Sequence, residues 1–442
     1  MLKTNPDELI DYAGDFSRLH YQIPIGVYQP NLIGDLVKII DDANHFHHPL
    51  TIRCQGLSQG GQSIAPNNGY VLSMLNFNQL DEISDNQIWV SAANTWEQVL
   101  AKTLPLRLAP MALPYNCQLS VSGVLSAGGM GAGAFKYGPM IANVSNLEIV
   151  DGRGMHAIID RHDDRFHAIL GGQGNFGILV RAGIPLRPVK SKVKTWFLLY
   201  YEFSDFLAAI TLAREHFDYI ESFCSASSQG AIVYDGQKKP LTHWLYGLHV
   251  SLEYEGNEPD DEVVSVLSPC KRLHQQSETI DQYFLRHNHR FDAMQKQGLW
   301  SMMHPWYECY IDQHTLTEVL PNILAKIPTV IAPLIHIIPI KLIHSGMLMF
   351  PEKGPLFSFM ILNPGLPHSY KSVAIDTMNW LNDIFLPLGG KRYLSGYQGD
   401  FLEPKWWQTH FGDKLSTWIA NKQKYDPNHI FTSKLFENMP IR

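Results

Sequence analysis

The sequence predicts an α+β protein made of two lobes. At 442 residues the chain exceeds the roughly 250–300 residues at which a single hydrophobic core usually stops growing. Its hydrophobic fraction of 45% is ordinary for a folded protein and argues against disorder. Glycine-rich turns and short apolar runs dominate the first part of the chain, whereas longer strand patterns with fewer glycines follow.

The first lobe is predicted to span residues 1–188. Short apolar runs predict strands in "PLTIRC", "GYVLSM", "QIWVSA", "NLEIVDG" and "FGILVRAGIPL". Amphipathic patterns predict helices in "NLIGDLVKIIDDAN" and "TWEQVLAKTL". Because Asp151 and Gly152 end one of the strands, a hairpin turn is expected there.

The second lobe is predicted to span residues 189–385, as an antiparallel sheet backed by helices. Strands are expected in "VKTWFLLYYEF", "HWLYGLHVSLEYEG" and "LIHSGMLMF", and helices in "FSDFLAAITLAREHFDYI" and "DEVVSVLSPCKRLHQQ". The apolar stretch Ile327–Ile340 is too short for a bilayer span and carries three prolines, so a buried strand and loop are expected. Residues 386–442 form a third part, a loop and then one helix, "PKWWQTHFGDKLSTWIANKQKYDP", which Pro427 stops.

Charge and cysteine content narrow the class of protein. A net charge of −7 without clustered Lys and Arg gives no reason to expect a nucleic-acid or acidic-membrane partner. The cysteines are odd in number and widely spaced, which indicates neither a disulfide framework nor a thiolate zinc site: Cys54, Cys117, Cys224, Cys270 and Cys309. The histidines lack carboxylates at ligand spacing, so no metal is assigned. The cysteine pattern fits a reducing compartment, and the N-terminal stretch "MLKTNPDELIDYAG" carries charge where an export signal needs an apolar core. We therefore expect a cytoplasmic protein.

The stretch "TIRCQGLSQGGQSIAP", Thr51–Pro66, has the composition of a phosphate-binding loop. It matches neither G-x-x-x-x-G-K-[ST] nor a G-x-G-x-x-G that opens a helix. Backbone N–H groups of a tight glycine loop can still bind a pyrophosphate without lysine. Gly56, Gly60 and Gly61 would let the main chain turn towards the phosphates, where a Cβ would hinder it. A surface hairpin is the alternative for any one such cluster, but "SGVLSAGGMGAG" and "GGQGNFG" repeat the pattern.

These segments resemble the FAD-linked oxidoreductases of the vanillyl-alcohol oxidase type, which have a PCMH-type FAD-binding domain, and within them the cytokinin dehydrogenases. The likeness runs in order from about residue 21 to 436 and includes "RCQGLSQGGQS", "LSVSGVLSAGGMGAGAFKYGPMIANVSNLEIVDGRG", "FHAILGGQGNFGILVRAGIPLRP", "HPW", "YLSGY" and "HFGDKLSTWIANKQKYDPNHIF". It implies that residues 386–442 return to the FAD-binding domain and that residues 189–385 form the substrate domain. It further implies oxidation of a small amine or alcohol by hydride transfer to FAD.

The resemblance also assigns site residues. It places the FAD contacts in the first glycine loop, the second glycine segment, beside the third glycine turn and in the tail: Cys54, Gln55, Gly56, Leu57, Ser58 and Gln62; Tyr115, Ser120, Gly123, Ser126 and Met130; Leu179; Tyr393 and Thr432. Trp306 and Leu394 are assigned to the substrate cavity.

Two departures from the family concern flavin attachment. The family's loop carries a histidine joined covalently to the flavin, and Leu57 stands in its place. Because leucine has no nucleophile, FAD is expected to bind non-covalently there. A second attachment cysteine, found in some relatives, aligns with Asn116, one residue before Cys117. Cys117 is therefore either a displaced attachment site or a small buried apolar residue.

Further departures concern proton transfer. Tyr115 replaces the aspartate that takes the amine proton, and a phenol with a pKa near 10 is a poor base. Tyr115 then either points at the substrate above the flavin or packs on the edge of the flavin ring. Glu308 replaces an asparagine two positions after Trp306, and strand alternation puts both on one face. A dry pocket would raise the pKa of Glu308 and make it a base, whereas a solvent-facing Glu308 would have no such role.

Two other positions bear on this interpretation. His304, before a proline, is expected to be structural, and Leu435 replaces a glutamine that contacts the flavin in the family. The leading prediction is thus an FAD-dependent enzyme acting on a small molecule, with Glu308 and Tyr115 as catalytic candidates. The alternative is a flavin-binding or cofactor-free relic of the fold without turnover, acting as an interaction module. The sequence leaves the substrate, the electron acceptor and the oligomeric state open.

Overall fold

The computed structural model describes residues 2–234, 236–343, 346–399 and 402–440. These residues form one four-stranded, one five-stranded and one eight-stranded sheet, with helices packed on them. The predicted α+β class is confirmed. In this described part of the chain, no helix combines the length and the apolar character that a bilayer crossing requires.

The first lobe contains the two smaller sheets. Its strands are β1 (Leu2–Lys3), β2 (Gly26–Tyr28), β3 (Leu50–Arg53), β4 (Tyr70–Ser73), β5 (Gln87–Ser91), β6 (Leu108–Pro110), β7 (Asn146–Asp151), β8 (His156–Asp160) and β9 (Gly177–Pro188). Its helices are α1 (Pro6–Leu9), α2 (Ile33–Phe46), α3 (Trp96–Thr103), α4 (Val121–Ala127), α5 (Ala134–Tyr137) and α6 (Asp164–Ile169). The strand orders are β1-β2-β4-β3 and β5-β9-β7-β8, with β6 also paired to β9.

Local sequence explains these elements. Helix α3 begins with a capping box in which Thr95 and Gln98 bond each other's backbone N–H groups. The turn after Asp151 joins β7 and β8 into the expected antiparallel hairpin. All five strands and both helices predicted in this lobe are confirmed.

The second lobe is built on the eight-stranded sheet, whose order is β13-β10-β12-β11-β15-β16-β14-β17 with all neighbours antiparallel. Its strands are β10 (Lys192–Tyr200), β11 (Tyr219–Tyr234), β12 (Gln237–Tyr254), β13 (Lys271–Thr279), β14 (Tyr307–Asp312), β15 (Leu334–Ile340), β16 (Leu356–Ile361) and β17 (Lys391–Arg392). Its helices are α7 (Phe203–His216), α8 (Ile280–Leu285), α9 (Asn288–Lys296), α10 (Gln313–Lys326) and α11 (Lys371–Phe385).

The sheet has an outer and an inner face. Tyr307, Cys309 and Ile311 of β14 lie in one hydrophobic cluster with residues of α7, α10 and α11, so these helices cover the outer face. The intervening residues, Glu308 and Tyr310, point to the inner face, towards the first lobe, because strand side chains alternate. This alternation carries Glu308 inside the protein.

The tail contains helices α12 (Pro404–Phe411) and α13 (Lys414–Tyr425) and returns to the first lobe. Strand β17 still pairs with β14, so the return begins after Arg392. Phe431 forms a parallel bridge with Leu50 of β3, and the Thr432 N–H donates to the Leu50 carbonyl (3.1 Å).

Three predictions about elements were wrong. The expected helix "DEVVSVLSPCKRLHQQ" is a short 3₁₀ helix, Asp261–Leu267, followed by β13, because Pro269 disfavours a helical Ser268. The expected strand "LIHSGMLMF" is irregular at 342–343 and 346–350, and its His344 and Ser345 lie outside the described residues. The single C-terminal helix is two helices, separated at Gly412 with φ +52°.

A buried ion pair fixes the tail to the first lobe. The Lys422 ammonium, fully buried, donates to Asp426 Oδ2 (2.5 Å), to the Asn175 carbonyl (2.9 Å) and to the Phe431 carbonyl. Asp426 also accepts the N–H groups of Ile430 (3.0 Å) and Phe431 (2.9 Å). The ammonium thus joins α13, the returning tail and the glycine turn before β9.

Lys422→Met should strongly destabilise the protein. Removing one partner of a buried pair leaves the other charge uncompensated, which costs about 3–5 kcal/mol of unfolding free energy. Urea unfolding should show this as a lower midpoint. Lys424→Met, on the same helix but in an exposed pair with Asp164, is the control and should leave the midpoint nearly unchanged. Equal midpoints for the Lys422→Met variant and the parent protein would contradict the role of the pair.

Candidate active site

A large cavity lies between the glycine segments of the first lobe and the inner face of the eight-stranded sheet. It encloses about 1590 Å³, including the part open to solvent. The three glycine segments and the tail supply one side, and β14 and β16 supply the other. The cavity therefore lies where the two lobes meet.

The first glycine loop has free backbone donors. The N–H groups of Gly60 and Gly61 are already used by Gln62 Oε1 (3.0 Å) and Asp15 Oδ2 (2.8 Å). Those of residues 55–58 have no hydrogen-bond acceptor within the described part of the chain, and all four residues line the cavity. Consecutive free N–H groups in a turn with Gly56 at φ +69° form an anion-binding concavity. The loop therefore fits the pyrophosphate of FAD.

The glycines of this loop also serve the protein's own packing. A Cβ on Gly56 would lie 2.2 Å from the Arg53 guanidinium, and one on Gly60 would lie 2.7 Å from the Gly396 carbonyl. Arg53 braces the loop by donating to the carbonyls of Gly14 (2.8 Å) and Ser63 (3.0 Å). The clashes that exclude a side chain at these glycines are thus with protein atoms.

Most residues assigned to FAD line this cavity. They are Cys54, Gln55, Gly56, Leu57, Ser58, Gln62, Tyr115, Ser120, Gly123, Ser126, Met130, Leu179 and Tyr393. The Tyr393 hydroxyl accepts the Gly129 N–H (3.0 Å), which fastens the tail to the second glycine segment. Thr432 lies outside the lining because its backbone pairs with β3. Leu394, assigned to the substrate, is also outside, with its side chain in the hydrophobic core and its carbonyl bonded by the Gln62 amide.

The two positions considered for flavin attachment differ in their surroundings. Leu57 lines the cavity and packs against an apolar cluster that contains Phe16 and Phe291. Cys117 is fully buried and does not line the cavity; its Sγ contacts the carbonyls of Pro114 (3.7 Å) and Phe284 (3.6 Å). Burial raises the pKa of the Cys117 thiol to about 12, so it stays protonated. Cys117 therefore has the environment of a structural residue.

Glu308 and Trp306 both line the cavity, as strand alternation predicts. Glu308 is 8% exposed, and Ser358 Oγ donates to its Oε1 (2.9 Å). Burial raises the pKa of Glu308 to about 7, against the smaller opposite effects of Ser358 and Arg392. The alternative of a solvent-facing carboxylate is wrong for this position.

Tyr115 lines the same cavity, with a buried hydroxyl that has no hydrogen-bond partner among the described residues. Its ring is edge-on to His287 at a centroid distance of 5.2 Å. Burial, and then the charge of Glu221, raise the pKa of Tyr115 well above its usual range. The phenol is therefore a neutral hydrogen-bonding group here.

Sequence reasoning missed a charged cluster beside Tyr115. Glu221 Oε1 lies 2.8 Å from Arg286 Nη2 and 2.6 Å from His287 Nε2. Burial opposes ionisation, but these two neighbours hold the pKa of Glu221 well below its usual range. A glutamate within an apolar strand was a signal for such a site, but its partners are 65 and 66 residues away in sequence.

His304 has a structural environment, as expected. Its ring stacks on Phe16 at 4.0 Å, and its Nε2 lies 3.1 Å from the Leu299 carbonyl. Burial lowers the pKa of His304 to about 4. Among the described residues, no group of His, Cys, Asp and Glu side chains is arranged to hold a metal ion.

Comparison with known protein families identifies both parts of the chain. Residues 24–159 match the family model described as "FAD binding domain". Residues 190–434, more than half of the chain, match the family model described as "Cytokinin dehydrogenase 1, FAD and cytokinin binding". The two matches fall on the first lobe and on the second lobe with the tail.

Similar full-length proteins point in the same direction. Cytokinin dehydrogenase 9 of Oryza sativa subsp. japonica is 28% identical over 94% of this chain and 86% of its own length. Cytokinin dehydrogenase 1 of Arabidopsis thaliana is 28% identical over 95% of this chain and 80% of its own length. Cytokinin dehydrogenase 5 of Arabidopsis thaliana is 25% identical over 98% and 88%, respectively.

Proposed function

Because the chain belongs to the cytokinin dehydrogenase family of FAD-dependent oxidoreductases, we propose that it oxidises a small amine or alcohol with Glu308 as the base and with FAD held non-covalently. When bound, FAD accepts the hydride taken from the substrate carbon. The protein has to bind the substrate, exclude water and take the proton from the substrate nitrogen or oxygen.

The observation that carries this proposal is the Glu308 carboxyl. One of its oxygens accepts a hydrogen bond from Ser358, which leaves Oε2 available to a substrate. A base works best when its pKa lies near the operating pH, and the pKa of Glu308 is about 7. Arg392 donates to the Glu308 backbone carbonyl (3.1 Å) and so holds the strand in position.

Tyr115 has a different role in this mechanism. As a neutral phenol it donates a hydrogen bond to the substrate heteroatom and orients it towards Glu308. Trp306, whose Nε1 is fixed by the Asn363 carbonyl (2.7 Å), supplies an apolar wall. Non-covalent FAD is supported by the apolar surroundings of Leu57 and by the burial of Cys117, which is not among the residues that line the cavity.

Acid precipitation of the purified flavoprotein should release its FAD. Leu57 cannot form a covalent bond to the flavin, and Cys117 is buried and does not line the cavity. The yellow colour is therefore expected in the supernatant, where chromatography should identify free FAD. A yellow pellet, with flavin on a tryptic peptide, would contradict non-covalent binding.

Isopentenyladenine should reduce the bound flavin slowly. In the family, an aspartate takes the proton of the substrate amine, and Tyr115 stands at that position here. Loss of a positioned base typically costs about 10²–10⁴-fold in rate. Anaerobic stopped-flow absorbance measures this step directly. Reduction of the parent protein by isopentenyladenine as fast as in an efficient cytokinin dehydrogenase assayed in parallel would contradict the prediction.

Glu308→Gln should slow flavin reduction at least roughly a hundredfold while FAD stays bound. The rate is measured with a small amine or alcohol that reduces the flavin of the parent protein. Tyr115→Phe, which removes only a hydrogen bond, should cost less. The carboxylate is the active form, so the parent rate should rise with pH through about 7 and then level off. The rise should be absent in Glu308→Gln. A Glu308→Gln variant with the parent rate and pH profile would remove Glu308 from the mechanism.

A further inference from the structure

A second, smaller cavity adjoins the large one at Tyr115. It encloses about 410 Å³, including the part open to solvent, between residues 110–115 and residues 283–287. Two of the described residues, Pro114 and Tyr115, line both cavities. The cavities are therefore neighbours, and these two residues lie between them.

The Tyr115 ring forms the partition between the two spaces. Glu308 lines the large cavity and not the second one, whereas His287 lines the second cavity and not the large one. The rings of Tyr115 and His287 meet edge-on at a centroid distance of 5.2 Å. The Tyr115 side chain also packs against the main hydrophobic cluster of the protein, and its hydroxyl is buried. A ring held in this way blocks a ligand in the large cavity from entering the second one.

The charged groups around the second cavity are already paired. Arg187 Nη2 lies 2.7 Å from Glu253 Oε1. Arg286 and His287 both bond to Glu221, at 2.8 and 2.6 Å. Burying an ionic group needs a partner of opposite charge, and these pairs leave none for a ligand.

The rest of the second cavity suits an uncharged, apolar group. Carbon atoms supply much of its wall, through four apolar side chains: Met111, Leu113, Ala132 and Phe284. Aromatic and aliphatic walls of this kind bind flat hydrophobic groups such as a phenyl ring. The second cavity would thus extend the substrate site if the Tyr115 ring were absent.

We propose that the Tyr115 ring sets the upper size of the substrate by closing the second cavity to it. A substrate beside Glu308 can extend towards position 115 only until it meets this ring. Tyr115 then makes two separable contributions, because its hydroxyl forms a hydrogen bond and its ring limits size. That the excluded ligand is a substrate rests on the proposed function, whereas closure of the second cavity requires no turnover.

Two uncharged probes of different length test the partition in the FAD-loaded protein. Benzamide and 4-phenylbenzamide, which have no amine or alcohol carbon to oxidise, are titrated by calorimetry and by the absorbance of the bound flavin. The measured quantity is the affinity for 4-phenylbenzamide divided by that for benzamide. In Tyr115→Ala this ratio should rise at least about tenfold over the parent, because the second phenyl ring gains an apolar site. Tyr115→Phe keeps the ring and should have the ratio of the parent.

A second substitution shows where the added phenyl ring binds. Gly133 lines the second cavity with φ −91°, and a Cβ there would lie 3.5 Å from Tyr137 and 3.8 Å from the Met111 carbonyl. A side chain at this position is therefore tolerated and fills part of the cavity. Gly133→Leu, added to Tyr115→Ala, should return the ratio to about that of the parent. The control is Gly34→Leu in the same background, at an exposed glycine where a Cβ meets no described residue beyond its own helix. It should leave the raised ratio unchanged.

Three results would each overturn the proposal. They are a parent-like ratio in Tyr115→Ala, an equal rise in Tyr115→Phe, and a rise that persists after Gly133→Leu is added. Tyr115→Val, a smaller truncation, takes the place of Tyr115→Ala if the alanine variant does not retain FAD, and the same outcomes apply.

The two proposals fail separately. A ratio that depends on the Tyr115 ring, in a protein that oxidises no amine or alcohol, keeps the partition and removes the proposed reaction. Oxidation of amines or alcohols by a protein whose ratio does not respond to Tyr115→Ala removes the partition and keeps the reaction.

Discussion

The architecture depends on one buried ammonium group, that of Lys422. The cavity is assembled from segments far apart in the sequence, and the tail has to be held against the first lobe for them to meet. Lys422 does this by donating to Asp426 and to two backbone carbonyls, those of Asn175 and Phe431. Gly152 has to be a glycine at this junction, since a Cβ there would lie 2.7 Å from Asp426. Burying the Lys422 ammonium costs desolvation free energy. The pair with Asp426 and the hydrogen bonds to two carbonyls offset this cost, which an unpaired lysine could not do.

A second buried cation, Arg392, likewise bonds mainly to backbone and amide oxygens, and this helps to explain why the pKa of Glu308 stays near 7. Arg392, though buried, uses its donors for the carbonyls of Glu308 and Tyr397 and for the Asn382 amide, and its guanidinium lies 3.9 Å from the Tyr307 ring centroid. Arg392 therefore holds the backbone of β14, and it lowers the pKa of the Glu308 side chain less than the hydrogen bond from Ser358 does. Burial remains the dominant effect on Glu308, and Ser358 orients the carboxyl.

Local signals in the sequence predicted most of the helices and strands, and the family resemblance assigned the residues on the cofactor side of the cavity. Strand alternation acts over a few positions, so it could place Trp306 and Glu308 on one face, but it left open whether that face meets solvent or the cavity. The departures arise from longer-range effects. The composition of residues 404–427 favours one continuous helix, but Gly412 divides it into α12 and α13. Thr432 pairs with β3 instead of lining the cavity. The cluster of Glu221 with Arg286 and His287 could not be predicted, because strand β11 and the junction between helices α8 and α9 meet only in the folded protein.

The two sides of the cavity differ in how readily they can change. The pyrophosphate side relies on backbone N–H groups of residues 55–58, which persist whatever side chains the loop carries, provided that Gly56 avoids Arg53. The replacement of a histidine by Leu57 therefore leaves the loop able to bind FAD. The proposed proton acceptor, by contrast, is one side chain on the inner face of the eight-stranded sheet, Glu308, so a single substitution there adds or removes it. A family scaffold can thus keep its cofactor side while a change at Glu308 alters the proposed reaction, because FAD binding and proton transfer are assigned to different parts of the chain.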